Sequence, residues 1–542
     1  MTLAIQKCTP VGRSLLRCFR FDGLDVAQVS PAPTSRDAVP APCEVLLAVD
    51  FAGTAGGTLA ERLAEAGQRL TGGGVLLLAL PNRFGLRFWS GCPEPATGRL
   101  FATLAGPAAI PESAAAGPGG LFTSRRELAD SLAAAGFSVL EWFFAAPDGG
   151  ETGESGALIS EQLVAAAPEL AAELASEHPS ADPARVRLDL FPETLVGREL
   201  ARSGLFAEFA NYFLVAAAPR RTAAGPALWA RLRPPAPEIG WHFAAGRRAP
   251  VATVFEHGSG GVTVAKRRLE EAARSETAAA AVFGWSAPER SPLAPGVPLR
   301  LRLQEHLVAG RFENFLDELA AFAAAIRARF GSGEALAEAA LDATLANATR
   351  DTDGEFHLFD LEWRATGGMP LSWWVLRNVL ACLEMRGPRW TSVPTAGDLY
   401  TTLCRQLAIP PQFAADLARE AEFGTAARSR TPDGGGAQVE AALARPWPVP
   451  VAQGLDTAEL RSALESAAAH QQLVADYRRL EHWAAEAQQR AADAEAAYRR
   501  LESWATEVQQ ANEAVLADYR KLAEWATALE AELGKRSAEG RS

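Results

Sequence analysis

Near the C-terminus one block recurs at a fixed interval. Tyr477-Arg478-Arg479-Leu480 returns as Tyr498-Arg499-Arg500-Leu501 and as Tyr519-Arg520-Lys521-Leu522, and each copy has a tryptophan three residues after its leucine (Trp483, Trp504, Trp525). The interval from Tyr477 to Tyr498, and again to Tyr519, is 21 residues, or three heptads. With Tyr477 at position a, Leu480 falls at d. The a series continues through Ala484, Ala491, Tyr498, Ala505, Asn512, Tyr519 and Ala526, and the d series through Ala487, Ala494, Leu501, Val508, Val515, Leu522 and Leu529. A 3.5-residue period sustained from about 466 to 533 predicts a left-handed coiled coil, on the order of 100 Å long. Seam residues without a partner would leave Tyr and Leu in water, so self-association is expected, with Asn512 able to fix register. A long helix folded back on a globular part is the alternative. The small Ala layers leave the number of strands open.

The rest of the chain is long enough for packed domains. At 542 residues and 48% hydrophobic, about three domains are expected and global disorder is excluded. Fifty-three Lys and Arg against 65 Asp and Glu give a net charge of −12, which argues against a general nucleic-acid binder. The 6 Cys show no metal-ligand spacing, which fits a reducing cytoplasm. Met1–Leu16 builds no apolar leader core, and no apolar run of about 18 residues occurs. The expected location is therefore cytoplasmic, with attachment to the inner face of the cytoplasmic membrane left to partners.

Residues 1–218 alternate short apolar runs with Ala-rich amphipathic stretches. Cys43–Asp50 and Val75–Leu80 read as buried strands, Leu59–Leu70 as a helix stopped at Gly72-Gly73-Gly74, and Phe137–Trp142 as a further strand. Ser124 is placed to cap a helix ending at Gly136. This is the grammar of an open α/β sheet. Residues 219–237 read as a boundary, 238–423 as a second domain, 424–455 as a Pro/Gly-rich linker and 456–536 as the coiled coil.

The second domain holds a sharper constellation. Val251–Glu256 and Gly261–Lys266 flank His257-Gly258-Ser259-Gly260, a hairpin signal. Lys266 ends that hairpin, where kinase folds place a phosphate-pairing lysine, and Glu270, Glu271 and Glu276 follow as candidate partners. Asp342 and Asn347 form an Asp-x4-Asn element, and Asp360 stands thirteen residues beyond Asn347. Phosphoryl transfer needs one carboxylate to orient the attacking hydroxyl, and an amide with a second carboxylate to hold Mg²⁺ across the ATP phosphates. Asp342, Asn347 and Asp360 have the types and order for those roles. Against this, Ala340 stands where a His-Arg pair would support the catalytic acid. The turn Ala244–Pro250 has one glycine, with Arg247 and Arg248 as candidate phosphate contacts in place of backbone. The 7 His lack two-His ligand spacing, and Trp363, Trp373 and Trp374 are expected in the core rather than stacked on a sugar.

Several blocks carry a family resemblance. Gly72-Gly73-Gly74-Val75 through Asn82-Arg83-Phe84-Gly85-Leu86-Arg87-Phe88-Trp89-Ser90-Gly91, then Phe122–Leu128, Ala135-Gly136-Phe137, Pro147-Asp148 and Gly204–Val215, resemble the second half of class I S-adenosylmethionine-dependent methyltransferases associated with bacterial surface glycans. Asp360-Leu361-Glu362-Trp363, Met369-Pro370 and Arg377 resemble the kinase-like half that follows in the same proteins. In order of parts the chain is similar to the bifunctional methyltransferase–kinases that cap growing polymannose chains. The resemblance implies an α/β partial Rossmann-like methyltransferase sheet, then an α+β kinase-like domain, then a long coiled-coil helix. It also implies glycosyltransferase partners. Before Cys43 there is no Gly-x-Gly turn and no room for two strand-helix units, so the first half is expected as a scaffold. If it does bind S-adenosylmethionine, Asp25 and Asn82 are the candidate contacts. A start further upstream, encoding a glycine-rich turn, would reopen methylation. Two functions are therefore expected as alternatives: a phosphotransferase of surface-polysaccharide assembly, or an inactive coiled-coil scaffold for glycosyltransferases.

Overall fold

The computed structural model describes residues 18–21, 24, 26–28, 42–48, 59–93, 99–106, 123–147, 155–177, 189–220, 223–244, 251–268, 282–286, 290–332, 335–388, 390–427, 435–452 and 457–539. The chain divides into two compact units, Met1–Ala467 and Ala468–Ser542.

The first unit is built on one ten-stranded mixed sheet. At its centre, Val45–Ala48 of β2 (Cys43–Ala48) and Val75–Leu78 of β3 (Leu70–Pro81) are at most 1% exposed. Alternate side chains leave a strand on opposite faces. Leu46, Leu76 and Leu78 accordingly join Leu63 and Ala66 of the helix Leu59–Arg69 on one face. Val45, Leu47, Val75 and Leu77 meet Leu228, Trp229 and Leu232 of the helix Ala224–Leu232 on the other. Gly73 permits that second contact, because a Cβ there would lie 2.6 Å from the Cβ of Ala224.

Strand β1 (Val26–Gln28) runs parallel to β2, and β2 parallel to β3. Onward from β3 the order is β6 (Tyr212–Pro219), β4 (Phe137–Pro147), β5 (Ser155–Ser160), β7 (Glu238–Ala244), β8 (Val251–Gly258) and β9 (Gly261–Arg268). Each of these pairings is antiparallel. Ser291–Pro292 closes the edge beside β9. An apolar run reports burial, not direction, so the runs at β2 and β3 predict buried strands without fixing that the sheet is mixed. Ser124 caps its helix through a capping box with Glu127, as its position predicts.

The sheet does not break at 219–237. That stretch supplies the packed helix just described, and β5 pairs directly with β7, Ala157 opposite His242. Beyond β9 the unit is mainly helical, with Leu303, Phe315, Phe322, Trp374 and Leu399 in a second core. The described residues of the expected linker 424–455 contribute to it. Leu443 and Trp447 are each 1% exposed, and the Trp447 indole N–H donates to the Cys382 carbonyl at 2.9 Å. Proline and glycine density marks turns, but it is blind to the few large apolar side chains that anchor such a stretch.

The second unit lies on the helix Thr457–Glu539, which is 83 residues long and so roughly 125 Å at 1.5 Å per residue. Trp483, Tyr498, Leu501, Trp504, Tyr519, Leu522 and Trp525 are each at least 60% exposed along it. No helix among the described residues is long and apolar enough to cross a membrane.

Candidate active site

The hairpin β8–β9 turns at Ser259-Gly260 and sets Thr253 opposite Lys266. The Lys266 ammonium donates to the Thr253 hydroxyl at 2.7 Å. It also lies 2.7 and 2.8 Å from the two carboxylate oxygens of Asp360, and 2.8 Å from Glu362 Oε1. Its side chain is 4% exposed and that of Glu362 1%, whereas that of Asp360 is 25% exposed. Burying Lys266 and Glu362 is tolerable because the two opposite charges meet at hydrogen-bond distance, while the second carboxylate, Asp360, keeps partial contact with solvent.

Short local structure presents the two acids. The strands Ala348–Arg350 and Phe356–Leu358 pair antiparallel, and Phe359 N–H donates to the Asn347 carbonyl at 3.0 Å as the chain leaves them. Asp360 then adopts φ +56°, a left-handed conformation that costs a non-glycine residue about 1–3 kcal/mol. The turn is fixed by Glu362 N–H, which donates to the Asp360 carbonyl at 3.0 Å and to Asp342 Oδ2 at 2.8 Å. Trp363 N–H reaches the same Oδ2 at 3.3 Å.

Asn347 stands between the two aspartates. Its amide donates to the Asp342 carbonyl at 2.9 Å and to the Asp360 carbonyl at 3.5 Å. One helix holds this loop from behind. On Leu371–Ala381, the Trp374 indole donates to the Ala343 carbonyl at 2.8 Å, Arg377 Nε to the Leu341 carbonyl at 3.0 Å, and Asn378 Oδ1 accepts from Leu345 N–H at 2.8 Å. Positions 374, 377 and 378 share a helix face, so one surface braces three backbone groups of the loop, at 341, 343 and 345. Trp363, Trp373 and Trp374 are buried in the core, as expected.

A cavity of about 580 Å³ opens beside the cluster. Lys266, Thr253, Asn347, Asp360 and His242 line its polar side, and Phe255, Val264, Leu293, Leu170 and Leu174 its apolar side. Leu170 and Leu174 come from the helix Pro168–Glu177, so the first half of the chain supplies one wall. Asp342 is not among the lining residues. Burial pushes its carboxyl up to about 6, with the Asp360 and Glu362 charges adding to the rise and Arg377 and the Glu362 N–H opposing it.

The structure thus brings Lys266, Asp342, Asn347 and Asp360 into one neighbourhood. Arg247, Arg248, Glu270, Glu271, Glu276 and Asp25 lie outside the described residues. The lysine's glutamate partner here is Glu362, which sequence spacing passed over even though it stands in the quoted Asp-Leu-Glu-Trp block. Asn82, the other candidate cofactor contact, is engaged within the fold. It is fully buried, its amide donates to the Glu208 and Ala210 carbonyls at 2.8 Å each, and its Oδ1 accepts from Phe84 N–H at 2.9 Å. Those bonds tie two loops together and leave it no amide proton for a ligand.

Among the described residues no group of three or more His, Cys, Asp or Glu is arranged to hold a metal ion. Asn347 and Asp360 nonetheless fit Mg²⁺, a hard cation usually held by one or two protein oxygens together with substrate phosphates. Comparison of the chain with family models, curated proteins and solved structures finds no match.

The raised Asp342 carboxyl makes stability depend on pH. The folded state binds its proton more tightly than the unfolded state does. Its contribution is therefore full below the ordinary aspartate value, about 4, and is lost as pH rises through about 6. Asp342→Asn keeps an acceptor for the two backbone N–H groups and removes the buried charge. Its urea midpoint is expected to exceed that of the wild type at about pH 8, and the gap to close at about pH 4. A gap independent of pH would contradict the assignment.

Proposed function

We propose that the chain is a transferase of bacterial surface-polysaccharide assembly whose kinase-like part moves a phosphoryl group from ATP to a glycan hydroxyl. One observation carries this: Lys266, Asn347 and Asp360, distant in sequence, line one cavity with the ammonium 2.7 Å from the Asp360 carboxylate. The cavity's apolar side suits a base and its polar side a polyphosphate. Lys266 would pair with the phosphates, while Asn347 and Asp360 would hold Mg²⁺, which when bound spreads the negative charge of the β and γ groups. Asp342 would orient the acceptor hydroxyl and take its proton. The acceptor oxygen forms the new bond to phosphorus, and the bond from that phosphorus to the ADP oxygen breaks. A carboxyl near 6 is ionised at neutral pH and still basic enough for that role.

The surface-glycan setting rests on the residue blocks quoted above. The saturated hydrogen bonding of Asn82 supports treating the methyltransferase-like part as a scaffold. A second reading, an inactive scaffold for glycosyltransferases at the cytoplasmic face of the membrane, is favoured by the position of Asp342 off the cavity lining. Both readings use the long helix for self-association, since an a/d seam exposed over several heptads stays wet without a second copy.

Thermal unfolding with ligand separates the two. Mg-ATP at about 100 times its Kd should stabilise the chain by about 2.7 kcal/mol, Asp360→Ala should lose that response, and S-adenosylmethionine should give none. Silence of the wild type to Mg-ATP would leave the scaffold. For the helix, replacing Leu501 and Leu522 together by Asp should turn the oligomer into a monomer in light scattering, with the far-ultraviolet helix signal reduced. A wild-type chain that is already monomeric would refute self-association.

A further inference from the structure

The two carboxylates on Lys266 are not equivalent. Asp360 faces the cavity, whereas Glu362 is absent from its lining and is held in place: its side chain is 1% exposed, Oε1 takes the ammonium at 2.8 Å, and Oε2 accepts from the Trp285 indole at 3.4 Å. Its backbone is held as firmly. The N–H reaches Asp342 Oδ2 at 2.8 Å, and the carbonyl accepts from Ser286 N–H at 2.9 Å. The strand Phe283–Trp285, paired with Trp363–Ala365, closes over this side.

A phosphate entering the cavity meets Asp360 first. Two anions competing for one ammonium, beside a cation that Asp360 can ligate, favour transfer of Asp360 from Lys266 to the cation. Glu362 has no such alternative, being walled off from the cavity. We propose that Glu362 is the positioning residue of Lys266, the permanent counter-charge that holds the ammonium at the cavity wall while Asp360 is released to a nucleotide-bound divalent cation. The lysine anchor and the cation ligand then sit two residues apart on one rigid turn. No separate helix has to swing in to complete the site, so the site is built in the folded chain rather than switched on.

This inference rests on the phosphotransferase reading, and its test has a readout that does not. The full chain is labelled with acetic anhydride at one fixed, mildly alkaline pH, and the acetylation rate of Lys266 is measured by mass spectrometry relative to exposed lysines. The clasped Lys266 side chain is only 4% exposed, so losing the anchor that keeps it at the cavity wall should let the amine reach the reagent and speed labelling several-fold. Glu362→Gln is expected to give that acceleration and Asp360→Asn a smaller one, because the second variant leaves the buried anchor in place. Glu362→Asp, which keeps the charge, should recover at least half of the protection and guards against a merely misfolded Gln variant. Equal or greater acceleration in Asp360→Asn, or no recovery in Glu362→Asp, would overturn the proposal. Mg-ATP is then added to the wild type. Protection of Lys266 supports the phosphotransferase reading, and its absence sinks that reading while the ranking of the variants still judges Glu362.

Discussion

An ammonium clasped by two acids ties the sheet to the helical part of the first unit. Lys266 leaves the edge region of the sheet on β9, and its partners Asp360 and Glu362 stand on the turn that follows the Ala348–Leu358 hairpin. Removing one member of a buried ionic cluster typically costs about 3–5 kcal/mol, since the remaining charge is left without compensation. Hydrophobic residues of the same volume could pack there at less expense in desolvation. What they could not do is present a cation, an amide and a carboxylate to the same cavity.

The other features of the site follow from holding that turn in place. Asp342 accepts the two N–H groups at 362 and 363, Asn347 bridges the carbonyls of 342 and 360, and a single face of the helix Leu371–Ala381 secures the loop between them. The first half of the chain takes part as well. Its sheet continues through β5 into β7, and its helix Pro168–Glu177 walls the cavity opposite β8 and β9. The strands of the two halves form one sheet, so a destabilised first half would be felt at the second.

Much of this could be read from the residues, where the signal was local. The β8–β9 hairpin, the Ser124 cap and the long helix follow from turn chemistry, capping and heptad period, each acting over a few residues. Lys266, Asn347 and Asp360 could be named because a reaction template fixes their order. Glu362 is not legible in the same way, because its charge reaches Lys266 from a turn far along the chain. Strand direction from β3 onward, the burial of Trp447 and the saturation of Asn82 depend on tertiary neighbours, which neither composition nor period encodes. The seam of the long helix is legible for the same reason the hairpin is, yet its partner is a matter of association.

The most direct measurement is a crystal structure of the full chain grown with Mg²⁺ and a non-hydrolysable ATP analogue. The account predicts phosphate oxygens about 3 Å from the Lys266 ammonium, the cation between those phosphates and Asp360 with Asn347, and Glu362 still on the lysine. An analogue bound elsewhere, or an occupied cavity in which Lys266 keeps Asp360 and touches no phosphate, would contradict it.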